Sequence, residues 1–138
     1  MSEKVAPYEG REPYAFVSYS HKNSDQVYPI IKTLTDMGCR IWYDEGIPLV
    51  ADYGGVLFNH IRDCAVFIIF KSFESVASPD VDKEIHHAID FKKKILQVVI
   101  DEQAEYPPDI AYHIHKALQY INIRTEPREL YRKLCDTW

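Results

Sequence analysis

The sequence predicts an α/β domain, a parallel sheet with helices on both faces. Three observations lead there. From residue 13 onward, short β-rich apolar runs alternate with stretches of helical periodicity. The runs at 14–20 and 65–70 are almost continuously apolar, as strands covered on both faces are. Five such runs occur in a chain of 138 residues, the size of one compact domain. Together they suit a five-stranded parallel sheet in the order 2-1-3-4-5, a flavodoxin-like three-layer sandwich.

Each element has its own signal. Residues 1–12 are polar, contain Pro7 and Gly10, and read as a flexible lead-in to a single domain over 13–138. "YAFVSYS" (14–20) is the first strand. In the next stretch, 23–38, Val27, Ile30, Ile31, Leu34 and Met37 recur at helical spacing and Gly38 supplies the stop. Pro29 sits early in this helix, where it is tolerated only near the first turn. "CRIWYDE" (39–45) is the second strand, and "GIPLVADYGG" (46–55) is a loop. "VLFNHIRDC" (56–64) is a short helix, "AVFIIF" (65–70) a buried strand, and "KSFESVAS" (71–78) a second loop. A helix spans 79–92 and a fourth strand 94–100. After the break at "DEQAEYPP" come a helix over 109–119, a weak strand over 120–123 and a terminal helix with Pro127 near its first turn.

Composition narrows the function. The formal net charge of -5 argues against nucleic acid or an anionic membrane as partner. The densest basic run, Lys92-Lys93-Lys94, ends a helix, where cations suit the dipole. Cys39, Cys64 and Cys135 form no C-x-x-C pair and read as reduced thiols of a cytoplasmic protein. No apolar h-region opens the chain, and the longest apolar stretch, 65–70, is far short of a membrane span.

In the 2-1-3-4-5 order, ligands bind beyond the carboxyl ends of strands 1 and 3. Ser18, Tyr19, Ser20 and His21 follow strand 1; Lys71, Ser72 and Phe73 follow strand 3. The following helix brings in Glu84. At about 100° per residue, Val81, Ile85, Ala88 and Ile89 share its apolar face. Glu84 lies on the edge of that face, His87 further round on the same side, and His86 points away. Glu84 is therefore expected half-buried on the crevice rim, where a carboxylate is costly unless paired or used. Three readings stand: a metal ligand through Glu84-x-x-His87, a first-turn acid complementing the helix dipole, or a catalytic carboxylate. The di-iron use of that spacing needs two copies, and the chain has one. His113-x-His115 does not put two ligands on one helix face. There is no P-loop, no G-x-G-x-x-G after strand 1 and no G-x-S-x-G turn. Strand 3 runs into Lys71 rather than aspartate, which excludes a response regulator.

Several stretches then resemble one family. "YAFVSYSHKNSDQV" resembles the first box of a TIR (Toll/interleukin-1 receptor) domain. "GCRIWYDEGI" resembles its second strand and the start of its BB loop. "CAVFIIFKSFESVAS…DKEIHHAI" resembles the third strand, the serine-containing loop and the glutamate-bearing helix. The resemblance covers about residues 13–135. The wording of "FVSYSH" and "IWYDEGI" is most similar to bacterial standalone TIR proteins of Thoeris-like antiphage defence.

The resemblance implies an enzyme that cleaves the nicotinamide–ribose bond of NAD+, with Glu84 as catalytic residue. NAD+ is then substrate; no cofactor or metal is implied. Phe16, Ser18 and Tyr19 match the strand-A end lining the nucleotide pocket. Tyr43, Asp44 and Glu45 match the strand-B end leading into the BB loop. Ser72 and Ser78 are of the type that precedes the glutamate, and both also suit helix capping. Trp42 suits the core rather than the pocket. Active members assemble through TIR–TIR contacts, with the BB loop, 46–55, completing a neighbour's site. A standalone enzyme would make an ADP-ribose-derived signal, linear or cyclic, for separate sensor and effector proteins. Two positions depart from the enzymatic pattern: Asp80 stands where many members have tryptophan, and Leu57 or Phe58 where many bacterial members have another. The alternative is a non-catalytic TIR–TIR adaptor whose contact surface is the BB loop, and a third option is an N-glycoside enzyme acting on nucleosides.

Overall fold

The structure is a computed structural model that describes residues 6–44, 53–116, 119–122 and 127–135. Its strands are β1 (Ala15–Ser18), β2 (Ile41–Tyr43), β3 (Val66–Lys71), β4 (Ile95–Val99) and β5 (Gln119–Asn122). Its helices are α1 (Ser24–Asp36), α2 (Tyr53–Asp63), α3 (Phe73–Val76), α4 (Pro79–Asp90), α5 (Pro108–Lys116) and α6 (Pro127–Cys135). All strand pairs are parallel, in the order β2-β1-β3-β4-β5. This is the order expected from the sequence.

The period-2 alternation of strand side chains divides the core in two. Ala15, Val17, Ile41, Tyr43, Val66, Ile68 and Phe70 face one side, where Val27, Ile31 and Leu34 of α1 and Leu130 of α6 cover them. Phe16, Trp42, Phe67, Ile69 and Ile95 face the other, under Ile61 of α2, Val81, Ile85 and Ala88 of α4, and Ile110 and Ile114 of α5. The result is three layers with β1 and β3 at the centre. Burial of this apolar surface, at about 25 cal/mol per Å², is the main force holding the layers together.

Several local features depart from expectation. The loop expected over 71–78 contains a one-turn helix, α3. Ser72 and Ser75 cap it reciprocally: each hydroxyl accepts from the other residue's backbone N–H. α2 begins at Tyr53, so Gly54 and Gly55 belong to its first turn and not to the loop. Pro29 is the sixth residue of α1, beyond its first turn, and gives no N–H to the helix ladder. A 3-10 turn, His21–Asn23, precedes α1. α1 ends in a left-handed Gly38 (φ 100°), a conformation glycine adopts without steric cost. After α4 the same conformation falls on Lys92 (φ 55°), while Lys93 N–H donates back to Ala88 O at 2.9 Å. The lead-in residues 6–12 lie against β2: Tyr8 N–H donates to Ile41 O at 2.9 Å, and Trp42 Nε1 donates to Glu9 at 2.8 Å.

Candidate active site

β1 ends on Ser18, which alternation points toward α4. α4 opens with Ser78 as N-cap, accepting from Val81 N–H at 3.2 Å, and Pro79 at its first position. Val81, Ile85 and Ala88 then anchor the helix to the sheet. This places Glu84, the sixth residue of α4, directly over the end of β1. Ser18 Oγ donates to Glu84 Oε1 at 2.6 Å. Among the described residues the other oxygen, Oε2, has no hydrogen-bond partner.

Glu84 is more deeply placed than the half-buried position expected: it is 7 % exposed. It also lies beyond the first turn, where the helix dipole no longer gives much stabilisation. Burial is the chief reason its carboxyl is pushed up to about 8, with Asp44 and Asp80 adding to the rise. The Ser18 hydrogen bond and nearby His21 pull the other way. An acid so placed is costly as a carboxylate and is therefore held largely protonated at neutral pH while the cavity is empty.

The cavity beside Glu84 has a volume of about 270 Å³. Val17, Tyr19, Leu57 and Val81 form its apolar wall among the described residues; Ser20, His21, Asp44, Ser78, Asp80, Lys83, Glu84 and His87 give it polar groups. At the end of β2, Asp44 Oδ2 lies 3.4 Å from His21 Nε2. That contact is the main cause of the raised His21 pKa. The Tyr19 hydroxyl donates to the Asp44 carbonyl at 2.6 Å and lies 3.0 Å from the Tyr28 hydroxyl. Burial drives the Tyr19 phenol far above its ordinary value, so it stays neutral.

Of the residues singled out in the sequence, Glu84, Tyr19 and Asp44 meet at this cavity, and Ser18 holds Glu84 from behind. Three others do not line it. Phe16 is fully buried and stacked between Trp42 and Phe67, with ring centroids 5.2 and 5.5 Å away. It sits two residues short of the strand end, deep under α4. Tyr43 points to the opposite face of the sheet, against Tyr28 and Tyr19. Ser72 is fully buried, caps α3 and donates to Asn23 Oδ1 at 2.6 Å. Glu45 and residues 46–52 of the BB loop lie outside the described residues. Trp42 is in the core, 5 % exposed, as expected. Asp80 and Leu57, the two departures from the enzymatic pattern, both line the cavity. Phe58 instead sits edge-on to His87 and Phe91. His21, placed beyond strand 1 by the sequence, and His87, weighed there only as a metal partner of Glu84, both line the cavity, as does Lys83, whose only sequence signal is its place next to Glu84. Among the described residues no three His, Cys, Asp or Glu side chains gather to hold a metal ion.

A family model described as "TIR domain" matches residues 15–135. The chain belongs to the TIR domain family. Solved structures agree on the fold. The TIR domain of the Toll-related receptor TRR-2 from Hydra magnipapillata superposes with a TM-score of 0.67 at 10% identity, over 88% of this chain and 94% of that one. The TIR domains of the activated Roq1 resistosome, which recognises the pathogen effector XopQ, give 0.64 at 10% identity over 91% and 98%. The CMP N-glycosidase BcmB of Clostridium botulinum gives 0.62 at 22% identity over 91% and 99%. No curated protein sequence matches this chain. No described helix of this TIR domain is long and apolar enough to cross a membrane.

Proposed function

We propose that this TIR domain is an N-glycosidase that cleaves the nicotinamide–ribose bond of NAD+, with Glu84 as its catalytic carboxylate. One observation carries the reading. A buried acid on the wall of a cavity at the sheet's switch point has one oxygen fixed by Ser18 and the other without a partner among the described residues.

The chemistry suits one carboxylate. Nicotinamide leaves as a neutral molecule, so no strong general acid is needed. The ribose carbon left behind is oxocarbenium-like, and an adjacent carboxylate in a water-poor site stabilises it and can hold the ribose hydroxyls. The pyridinium of NAD+ is cationic, so its arrival favours the ionised form of Glu84 that the empty cavity disfavours. Water attack gives ADP-ribose, and attack by a nucleophile of the same molecule gives a cyclic product. Tyr19 and Asp44 border the substrate; Phe16, Tyr43 and Ser72 support that border from the core and the α3 cap. In this reading the enzyme works in a bacterial cytoplasm, assembles through the 46–55 segment, and acts in antiphage defence between separate sensor and effector proteins.

A second reading has a specific observation behind it. BcmB, similar over nearly its whole length, is a CMP N-glycosidase, and a cavity of about 270 Å³ is small for a whole dinucleotide. The test is incubation of concentrated protein with NAD+ and, separately, CMP, with products separated by chromatography and mass. Nicotinamide with ADP-ribose or its cyclic form supports the first reading, and cytosine with ribose phosphate the second. Neither product, under conditions shown to drive assembly, leaves the adaptor role.

A further inference from the structure

We propose that His21 is the general base that takes the proton from the attacking water, held in place by Asp44. This rests on the N-glycosidase reading above and adds a second catalytic residue to it.

Hydrolysis needs a proton acceptor that Glu84 is poorly placed to be. The C1′–N bond breaks with its electron pair going to the leaving base. A C1′–O bond forms from a water lone pair, and that water must then lose a proton. Glu84 has Oε1 tied to Ser18 and its other oxygen committed to the developing cation. His21 lines the same cavity from β1's end and is half-exposed, so a proton it accepts can return to solvent. Asp44 Oδ2, 3.4 Å from Nε2, favours the tautomer that keeps its proton on Nε2 and points it at the carboxylate, which leaves the lone pair on Nδ1 in the neutral ring. The same carboxylate stabilises the imidazolium that forms, as in other histidine–carboxylate pairs. The pair is itself fixed: the Tyr19 ring stands 5.0 Å from the His21 ring, and the Tyr19 hydroxyl holds the Asp44 carbonyl. Asp44 is also the main cause of the raised His21 pKa, so the neutral, proton-accepting ring gains population as pH rises.

The competing role is mechanical, a tie between the ends of β1 and β2. Pyridine exchange separates the two. A neutral pyridine that attacks C1′ in place of water carries no proton to give up, so exchange needs Glu84 but no base. Hydrolysis and exchange are measured on the same sample with NAD+ and a substituted pyridine, in wild type, His21→Gln and Asp44→Asn. The expected result is hydrolysis down about 100-fold in His21→Gln with exchange within about threefold of wild type, and a smaller fall in the same ratio for Asp44→Asn. The ratio is internal to each sample, so partial unfolding does not move it. An active wild type whose ratio is unchanged in His21→Gln overturns this inference alone. A wild type that releases no nicotinamide overturns it together with the reading of the protein as an enzyme that cleaves NAD+.

Discussion

Two regions of this domain pair a histidine with a carboxylate beside aromatic rings, and they differ in what is left over. Near the amino ends of β1 and β3, His60 stacks on Trp42 at 3.9 Å, its Nδ1 lies 2.8 Å from Val56 O, and its Nε2 lies 3.6 Å from Glu9. Glu9 also accepts from Trp42 Nε1. The polar groups are used up in holding the lead-in to the sheet, although the cavity beside them, about 580 Å³, is the larger. At the carboxyl ends, the Glu84 carboxyl is buried and keeps an oxygen without a partner among the described residues. A buried acid whose unpartnered oxygen opens onto a cavity marks a site better than cavity size does, because that oxygen is left for a ligand and not used in holding the fold.

The sharpest way to break this comparison is Glu84→Gln. The amide keeps the Ser18 contact and the volume but cannot stabilise a cation. Nicotinamide release is expected to fall about 10³-fold or more while the protein stays folded by circular dichroism. Ser18→Ala should act through the same carboxyl. It removes one charge-assisted hydrogen bond, worth about 1.5–3 kcal/mol, so kcat/KM is expected to drop roughly 10- to 100-fold. The Ser18 bond favours the carboxylate, so its loss should also move the rising limb of the pH–rate profile to higher pH.

Stability should run opposite to activity with pH. Folding raises the Glu84 pKa from 4.5 to about 8, so the folded state holds a proton that the unfolded chain has released. The group's stabilising effect is complete below 4.5 and is lost as pH rises toward 8. Thermal melts should therefore show wild type losing Tm across that range while Glu84→Gln loses less. At pH 8 the variant is expected to melt about 2–5 °C higher. The smallest effect belongs to the other region. Glu9→Gln should leave nicotinamide release unchanged and alter stability by less than about 1 kcal/mol, since its contacts are partly exposed.

Much of this was legible in the sequence, for physical reasons that also mark the limit. The short, β-rich and unbroken apolar run of β3 suits a strand covered on both faces, and the helical spacing of Val27, Ile31 and Leu34 sets the buried side of α1. The spacing of Val81, Ile85 and Ala88 placed Glu84 at the sheet. Its depth was not legible, because it depends on Ser18 reaching it from 66 positions away. Phe16 and Tyr43 looked like pocket residues by position along the chain. Tyr43 takes the opposite face of the sheet, whereas Phe16, paired with Trp42 on the α4 side, lies too deep to reach the strand end. α3 escaped notice because four residues carry too little periodicity, and only the reciprocal Ser72–Ser75 caps reveal it. The His21–Asp44 contact joins the ends of two strands, a tertiary fact with no local signature.

The most direct test is a carbon-13 NMR titration of the Glu84 side-chain carboxyl, assigned by its absence in Glu84→Gln, without and with saturating NAD+. The carboxyl should titrate near pH 8 in the empty protein, and NAD+ should shift it toward the ionised form at neutral pH. A midpoint near 4.5 that NAD+ leaves unmoved would contradict the account, because Glu84 would then be an ordinary solvated acid with no part in the site.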